Sequence, residues 1–164
     1  MRYRGPAVAL VVLLASALAA AAQQVPDAWT PLPHPTDTGK PPIVYAAARA
    51  RLDIVKRLLA RNIDINARYP HDLTLLMWAS GADEGVTEAE AIKVVIYLLD
   101  AGAHIDDRDA RGRTALMIAA EGGRAEVAIL LLARGADPSL KDNAGKRAAD
   151  LTTLSLLRDR LTRP

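Results

Sequence analysis

The chain has 164 residues, 21 Lys/Arg against 19 Asp/Glu, and no cysteine. The two surplus bases are Arg2 and Arg4 at the N-terminal end. Without them the charges cancel, which removes the electrostatic motive for binding nucleic acid or an anionic lipid surface. The lack of cysteine excludes disulfides, thiolate nucleophiles and zinc–thiolate clusters, so stability must come from packing.

Residues 1–22 have the pattern of a secretory leader. Arg2 and Arg4 form a basic head, Ala7 to Ala22 is apolar apart from Ser16, and Ala20, Ala21 and Ala22 supply small residues before a cleavage point at Gln23. The apolar run is Ala-rich and 16 residues long, short of the roughly 20 that a spanning helix needs. A leader, no cysteine and no Asn-x-Ser/Thr acceptor together fit a bacterial periplasm, with secretion as the alternative. Residues 23–35 follow as a proline-rich arm with Pro26, Pro31, Pro33 and Pro35. Fixed φ and missing N–H groups predict an extended segment, with Trp29 as its anchor.

From residue 36 onward a helix–turn–helix pattern recurs. In the first unit, 36–68, Gly39 marks a turn, Pro42 opens a helix that includes Ala46 and Ala47, and a second helix runs from Asp53 to Ala60. Asn62 then takes the left-handed position that ends it. The second unit, 69–108, has Asp72 at the turn, Thr74 before Leu75, Leu76, Met77 and Trp78, and a capping box from Thr87 to Glu90 opening a helix over Glu88–Leu99. Thr74 and Thr114 are 40 residues apart where other equivalent positions are 33 apart, so seven residues are inserted. They form a loop near Gly81–Val86 and a longer second helix. The third unit, 109–141, is the most regular. Gly112 allows a positive φ, Thr114 caps the helix that begins at Ala115, and Gly122 and Gly123 end it. Glu126–Ala133 then forms a helix with Val127, Leu130 and Leu131 inward, and Gly135 closes it. The fourth unit, 142–164, keeps Gly145 but has Arg147 where threonine is expected. Leu154, Leu157 and Leu161 are assigned inward, with Arg158, Arg160 and Arg163 outward, as in the capping unit of a stack. A period of this length is the signature of units that bury their apolar faces only on one another.

Gly112-Arg113-Thr114-Ala115-Leu116-Met117-Ile118-Ala119-Ala120, with Gly135-Ala136-Asp137-Pro138 behind it, resembles the ankyrin repeat. That family's hallmark is Gly-x-Thr-Pro-Leu-His-x-Ala-Ala and a later Gly-Ala-Asp. Ala115 replaces its proline and Met117 its histidine. The resemblance covers about 36–164. It implies an all-α solenoid of four repeats with short β-hairpin tips, no catalytic residues, no cofactor and a protein partner. Family members make partner contacts from the tips and from exposed ends of the first helices. Carried over by position, the tips are Pro70, His71 and Leu73, then Ala110, Arg111 and Arg113, then Asn143, Ala144 and Lys146. The exposed helix ends are Ala48 and Arg49, Gly81 and Ala82, and Glu121 and Gly122. Arg111, Arg113 and His71 are the strongest candidates, because such side chains gain most per contact.

No constellation for chemistry competes with this reading. His34, His71 and His104 are scattered without ligand spacing, and Asp106–Asp109 lacks the spacing of a calcium loop, so it reads as a solvated turn. The glycines near 81–85 and 122–123 precede no Gly-Lys-Ser/Thr and are not a phosphate cradle. Trp78 occupies a motif position that packs inside the stack, so it is assigned to the core, with a groove-facing anchor as the alternative. Seven bases over 40–68 and eight acids over 82–109 read as solvated faces. The inserted loop, with its acids, is a second candidate surface. The expected protein is a monomeric, exported, non-catalytic scaffold or accessory for a periplasmic protein. A dedicated immunity or inhibitor protein, or an envelope-structural protein, is the alternative.

Overall fold

The computed structural model describes residues 41–162, so the leader, the arm, the turn at Gly39 and the outward Arg163 lie outside the described residues. Eight α-helices follow in pairs: α1 Pro42–Ala48 with α2 Leu52–Leu59, α3 Leu75–Gly81 with α4 Glu88–Asp100, α5 Ala115–Glu121 with α6 Ala125–Ala133, and α7 Ala148–Leu151 with α8 Ser155–Thr162. The first helices α1, α3, α5 and α7 pack on one another as an inner layer, and the second helices form an outer layer behind them. Inner helices of seven residues are too short to persist alone in water, so their order depends on the stack.

The core lies between the layers. Val44, Leu75, Leu76, Met77, Leu116 and Met117 enter it from inside, and Val55, Val94, Val95, Leu98, Val127 and Leu131 from outside, all fully buried. Each such side chain contributes roughly 1.5–3 kcal/mol. The pairs Ala46 and Ala47, Ala79 and Ser80, and Ala119 and Ala120 are buried too, and their small size lets inner helices approach closely. Helix starts follow the sequence. Thr74 and Thr114 accept N–H bonds from Met77 at 3.3 Å and Met117 at 3.4 Å, and Pro42 stands in the first turn of α1. Lacking a hydroxyl at Arg147, α7 is closed by the Asp150 carboxylate, which accepts the Arg147 N–H at 2.9 Å. Asn62, like Gly102 and Gly135, adopts the left-handed conformation expected of it, at φ 65°.

The tips depart from the expectation of β-hairpins. Among the described residues there is no strand, only an isolated antiparallel bridge between Tyr69 and Leu73. Each tip is a turn in which one residue donates across its base, Tyr69 to Leu73 at 3.0 Å, Asp109 to Arg113 at 2.9 Å and Asp142 to Lys146 at 2.8 Å, and in the last two the turn glycine donates back, Gly112 to Asp109 at 2.8 Å and Gly145 to Asp142 at 2.9 Å. In the third and fourth units the return ladder bond does not form, because the Arg113 and Lys146 N–H groups donate to the Asp109 and Asp142 carboxylates. Ala110 donates to the His71 carbonyl and Asn143 to the Arg111 carbonyl, which links successive tips. The Asp109 carboxylate takes the N–H groups of Arg111 and Arg113, and Asp142 takes those of Ala144 and Lys146. The second unit has Tyr69 where these aspartates stand. Its tip is a short 3-10 turn, Pro70–Asp72, in which His71 and Asp72 both have positive φ.

The insertion extends α4 to 13 residues and places a loop between Gly81 and Glu88. The capping box is present, with the Glu90 carboxylate accepting the Thr87 N–H at 3.0 Å. In the last unit Leu157 and Leu161 are buried, and Arg158 and Arg160 are exposed. Leu154 is instead 40% exposed. It precedes α8, in a turn whose N–H bonds to the Thr152 hydroxyl.

Candidate partner-binding groove

The fourth residue of each inner helix, Tyr45, Trp78, Ile118 and Leu151, is half-buried, whereas in α1, α3 and α5 the residues on either side of it are buried. These side chains form an apolar stripe along the inner face. Trp78 is therefore a groove residue, which corrects its assignment to the core. At this position the helix turns its side chain toward the open side, between its own tip and the next inner helix. Leu73, Met77, Trp78 and Ile118 line a recess of about 160 Å³ between the second and third units, with Arg113 at its edge. Gly81 keeps that recess close-packed: a Cβ there would lie 3.0 Å from the Ile118 side chain.

One unit further on lies a larger cleft of about 480 Å³. Ala110, Arg111, Arg113, Glu121, Asn143, Ala144 and Lys146, all named from the sequence, line it together with Asp142 and Leu151. Leu73 borders the apolar recess instead, and Pro70 and His71 stand exposed on the neighbouring tip. Asp142, Ile118 and Leu151 were missed. Their signal was positional, since Ile118 and Leu151 repeat the place of Trp78 and Asp142 that of Asp109 in successive units.

The three arginine and lysine side chains of the cleft differ in role. Arg113 is held inside the protein: its guanidinium pairs with Asp109 at 2.9 Å and with Glu121 at 2.8 Å, and its side chain is 19% exposed. It forms a wall between recess and cleft, with its guanidinium already engaged on both sides. Glu121 is correspondingly half-committed to Arg113. Arg111 and Lys146 are exposed and, among the described residues, form no ion pair or side-chain hydrogen bond.

The charged segments also resolve differently from the expectation of solvated faces. Arg49 pairs with Asp83 at 3.3 Å, Arg68 with Asp107 at 3.1 Å, and Arg134 with Asp100 at 2.8 Å. Bases of one unit thus meet acids of a neighbouring unit, the next one for Arg49 and Arg68 and the preceding one for Arg134. Asp106 accepts the Asp137 N–H at 3.1 Å, as Asn66 accepts that of His104 at 2.9 Å. Arg68 donates to the Arg108 carbonyl, and Arg108 to that of Lys141, in a ladder across two boundaries. The Asp106–Asp109 run is therefore structural joinery and not a solvated turn. The inserted loop is likewise committed. Arg124 donates to the carbonyls of Val86 and Ala82, the Asp83 N–H donates to the Ala48 carbonyl, and Glu88 Oε2 accepts the Glu126 N–H at 2.7 Å. Ala48 and Ala82 are buried beneath this arrangement and not exposed as expected.

Among the described residues no group of three His, Asp or Glu side chains is placed to hold a metal. No described helix is long and apolar enough to cross a membrane.

Stacked helix pairs, linked tips and a continuous inner groove define a helical-repeat interaction module. The family described as Ankyrin repeats (3 copies) matches residues 43–142. The chain belongs to the ankyrin-repeat family, whose repeats serve as protein–protein interaction modules. It is 34% identical over 113 residues to the ankyrin repeat and KH domain-containing protein mask-1 of Caenorhabditis elegans, covering 67% of this chain and 4% of that one. It is 36% identical over 98 residues to the human ankyrin repeat domain-containing protein 63, covering 60% of this chain and 24% of the relative. A putative palmitoyltransferase of Danio rerio, ZDHHC13, is 30% identical over 122 residues, 74% of this chain and 18% of the relative. The chain spans less than a quarter of the length of these curated relatives.

Proposed function

We propose that this protein is an exported, non-catalytic binding module that holds a periplasmic protein in the groove between its tips and inner helices. The observation that carries this reading is the gathering of seven tip and helix-end residues, from Ala110 to Lys146, around one open cleft. Tips fixed to each other by backbone bonds lose little freedom on binding, so a rigid groove of this kind keeps most of its contact energy as affinity. The basic head, apolar run and small residues of 1–22 support export, and the absence of cysteine suits a fold that needs no oxidative step.

The test has two parts. Mass measurement of the protein recovered from the periplasm should place its N-terminus at Gln23; a cytoplasmic, unprocessed chain rejects export. Affinity capture from a periplasmic extract should then yield a stoichiometric partner that is lost when Arg111 and Lys146 are both changed to alanine. A partner whose enzymatic activity falls on binding identifies an inhibitor, and one whose activity is unchanged identifies a scaffold. A partner retained by the double variant rejects the groove.

A further inference from the structure

The inner face has two unlike compartments side by side, and they specify the chemistry of what lies across them. The first is the mainly apolar recess of Leu73, Trp78 and Ile118, at whose edge Asp83 is paired with Arg49. The second is the cleft floored by Leu151, where Arg111 and Lys146 carry the charges that no described carboxylate neutralises. Arg113 lines both. Because Asp109 and Glu121 grip its guanidinium, it divides the compartments without competing for an incoming anion.

We propose that the groove takes an extended acidic peptide segment, with a large apolar side chain in the Trp78–Ile118 recess and a carboxylate between Arg111 and Lys146. This rests on the partner-binding reading above and gives the partner its chemistry. The spacing follows from the stack. The compartments are one unit apart, neighbouring inner helices pack at roughly 8–10 Å, and an extended chain rises about 3.3 Å per residue. The apolar and acidic residues therefore stand about three positions apart. A nucleic acid fits the cleft poorly. Glu121 and Asp142 also line it and would face a continuous row of phosphates, whereas a peptide places one carboxylate opposite two cations.

The experiment selects a library of random linear peptides on the immobilised purified protein, then measures the enriched peptides by fluorescence anisotropy. A single-stranded oligothymidylate serves as the polyanion control. Enriched sequences should share an acid about three residues from Leu, Ile, Phe or Met. Changing that acid to its amide, or making Arg111→Glu with Lys146→Glu, should weaken binding by roughly tenfold or more, as expected for lost charge-assisted hydrogen bonds. Trp78→Ala should weaken the same peptides, and Glu in place of the apolar residue should do so too. Both reversed charges are exposed, and an unchanged thermal midpoint confirms that the fold is intact. Peptides that compete for the groove yet ignore the charge reversal would overturn the acidic chemistry while leaving the partner-binding reading in place. Oligothymidylate binding as tightly as the peptides overturns the peptide proposal. No enrichment at all, combined with no captured protein, rejects both.

Discussion

Gly112 and Gly145 occupy equivalent places in successive tips, with φ of 75° and 78°, yet they do not tolerate change equally. A Cβ at Gly145 meets nothing within 4 Å, so Gly145→Ala carries only the left-handed backbone penalty of about 1 kcal/mol. At Gly112 the added carbon would lie 2.4 Å from Asn143 Oδ1 and 2.7 Å from the Arg108 guanidinium, both of which link neighbouring tips. Gly112→Ala should therefore cost about 2–3 kcal/mol, the backbone penalty plus disrupted contacts, measured by urea unfolding. Equal losses at the two sites would mean that the tips do not lock together. The same assay separates the cleft's arginines. Arg113→Ala leaves the Asp109 carboxylate, whose side chain is 2% exposed, with backbone donors alone, and should cost about 2–3 kcal/mol. Arg111→Ala should stay within about 0.5 kcal/mol. The sequence named both as contact residues because charge and tip position were visible in it. What it could not display was the reach from Arg113 across a helix to Glu121.

At the scale of elements, the most legible features were those written locally. The caps at Thr74, Thr114 and Thr87, the left-handed stops at Asn62 and Gly135, and the extended α4 all follow from neighbouring residues. Interactions between elements were not legible, since no local pattern marks Glu88 as the cap of a helix 38 residues on. Arg124, at the start of α6, provides no side-chain cap. Glu88 supplies the acceptor from α4, so Glu88→Ala should lower stability by about 1 kcal/mol and raise amide exchange at Glu126 and Val127. Protection that stays unchanged there would show that the cross-unit cap contributes nothing. The start of α4 adds a pH dependence. Hydrogen bonds from the Thr87 hydroxyl and N–H hold the Glu90 pKa below its ordinary 4.5. As pH falls below that value the unfolded chain takes up its proton first, so this contribution is full above it and disappears through the lower folded value. Thermal midpoints should drop on acidification through this window, and Glu90→Gln should make the drop shallower. Because the group is exposed, added salt should shrink the difference.

Among the described residues the helices of each unit pack mainly against those of its neighbours, so stability propagates from the middle outward. The period of the sequence reveals that architecture, and the opposed runs of bases and acids turn out to be its seams. Arg49 with Asp83 and Arg68 with Asp107 fasten the first unit to the second, while the Arg68 and Arg108 guanidinium ladder continues to the end of the third. Charge runs alone carry no sign of this, because pairing depends on which helix ends the stack brings together. The consequence is a directional one. Leu116 lies at the centre of the stack, in α5, which packs against α3, α6 and α7, and it is 1% exposed. Leu157 is equally buried, at 2%, but sits in α8, which rests only on α6 and α7 at the end. Truncating either to alanine removes similar apolar contact, of order 2–5 kcal/mol. In a nearest-neighbour array the loss at Leu157 can be confined to release of the terminal helix, whereas the loss at Leu116 cannot be localised. Leu116→Ala should accelerate amide exchange throughout residues 75–151. Leu157→Ala should accelerate it over 155–162 and leave α3 to α6 as protected as before. Uniform acceleration in both variants would instead describe a single cooperative block, in which the end unit is as integral to the core as the centre.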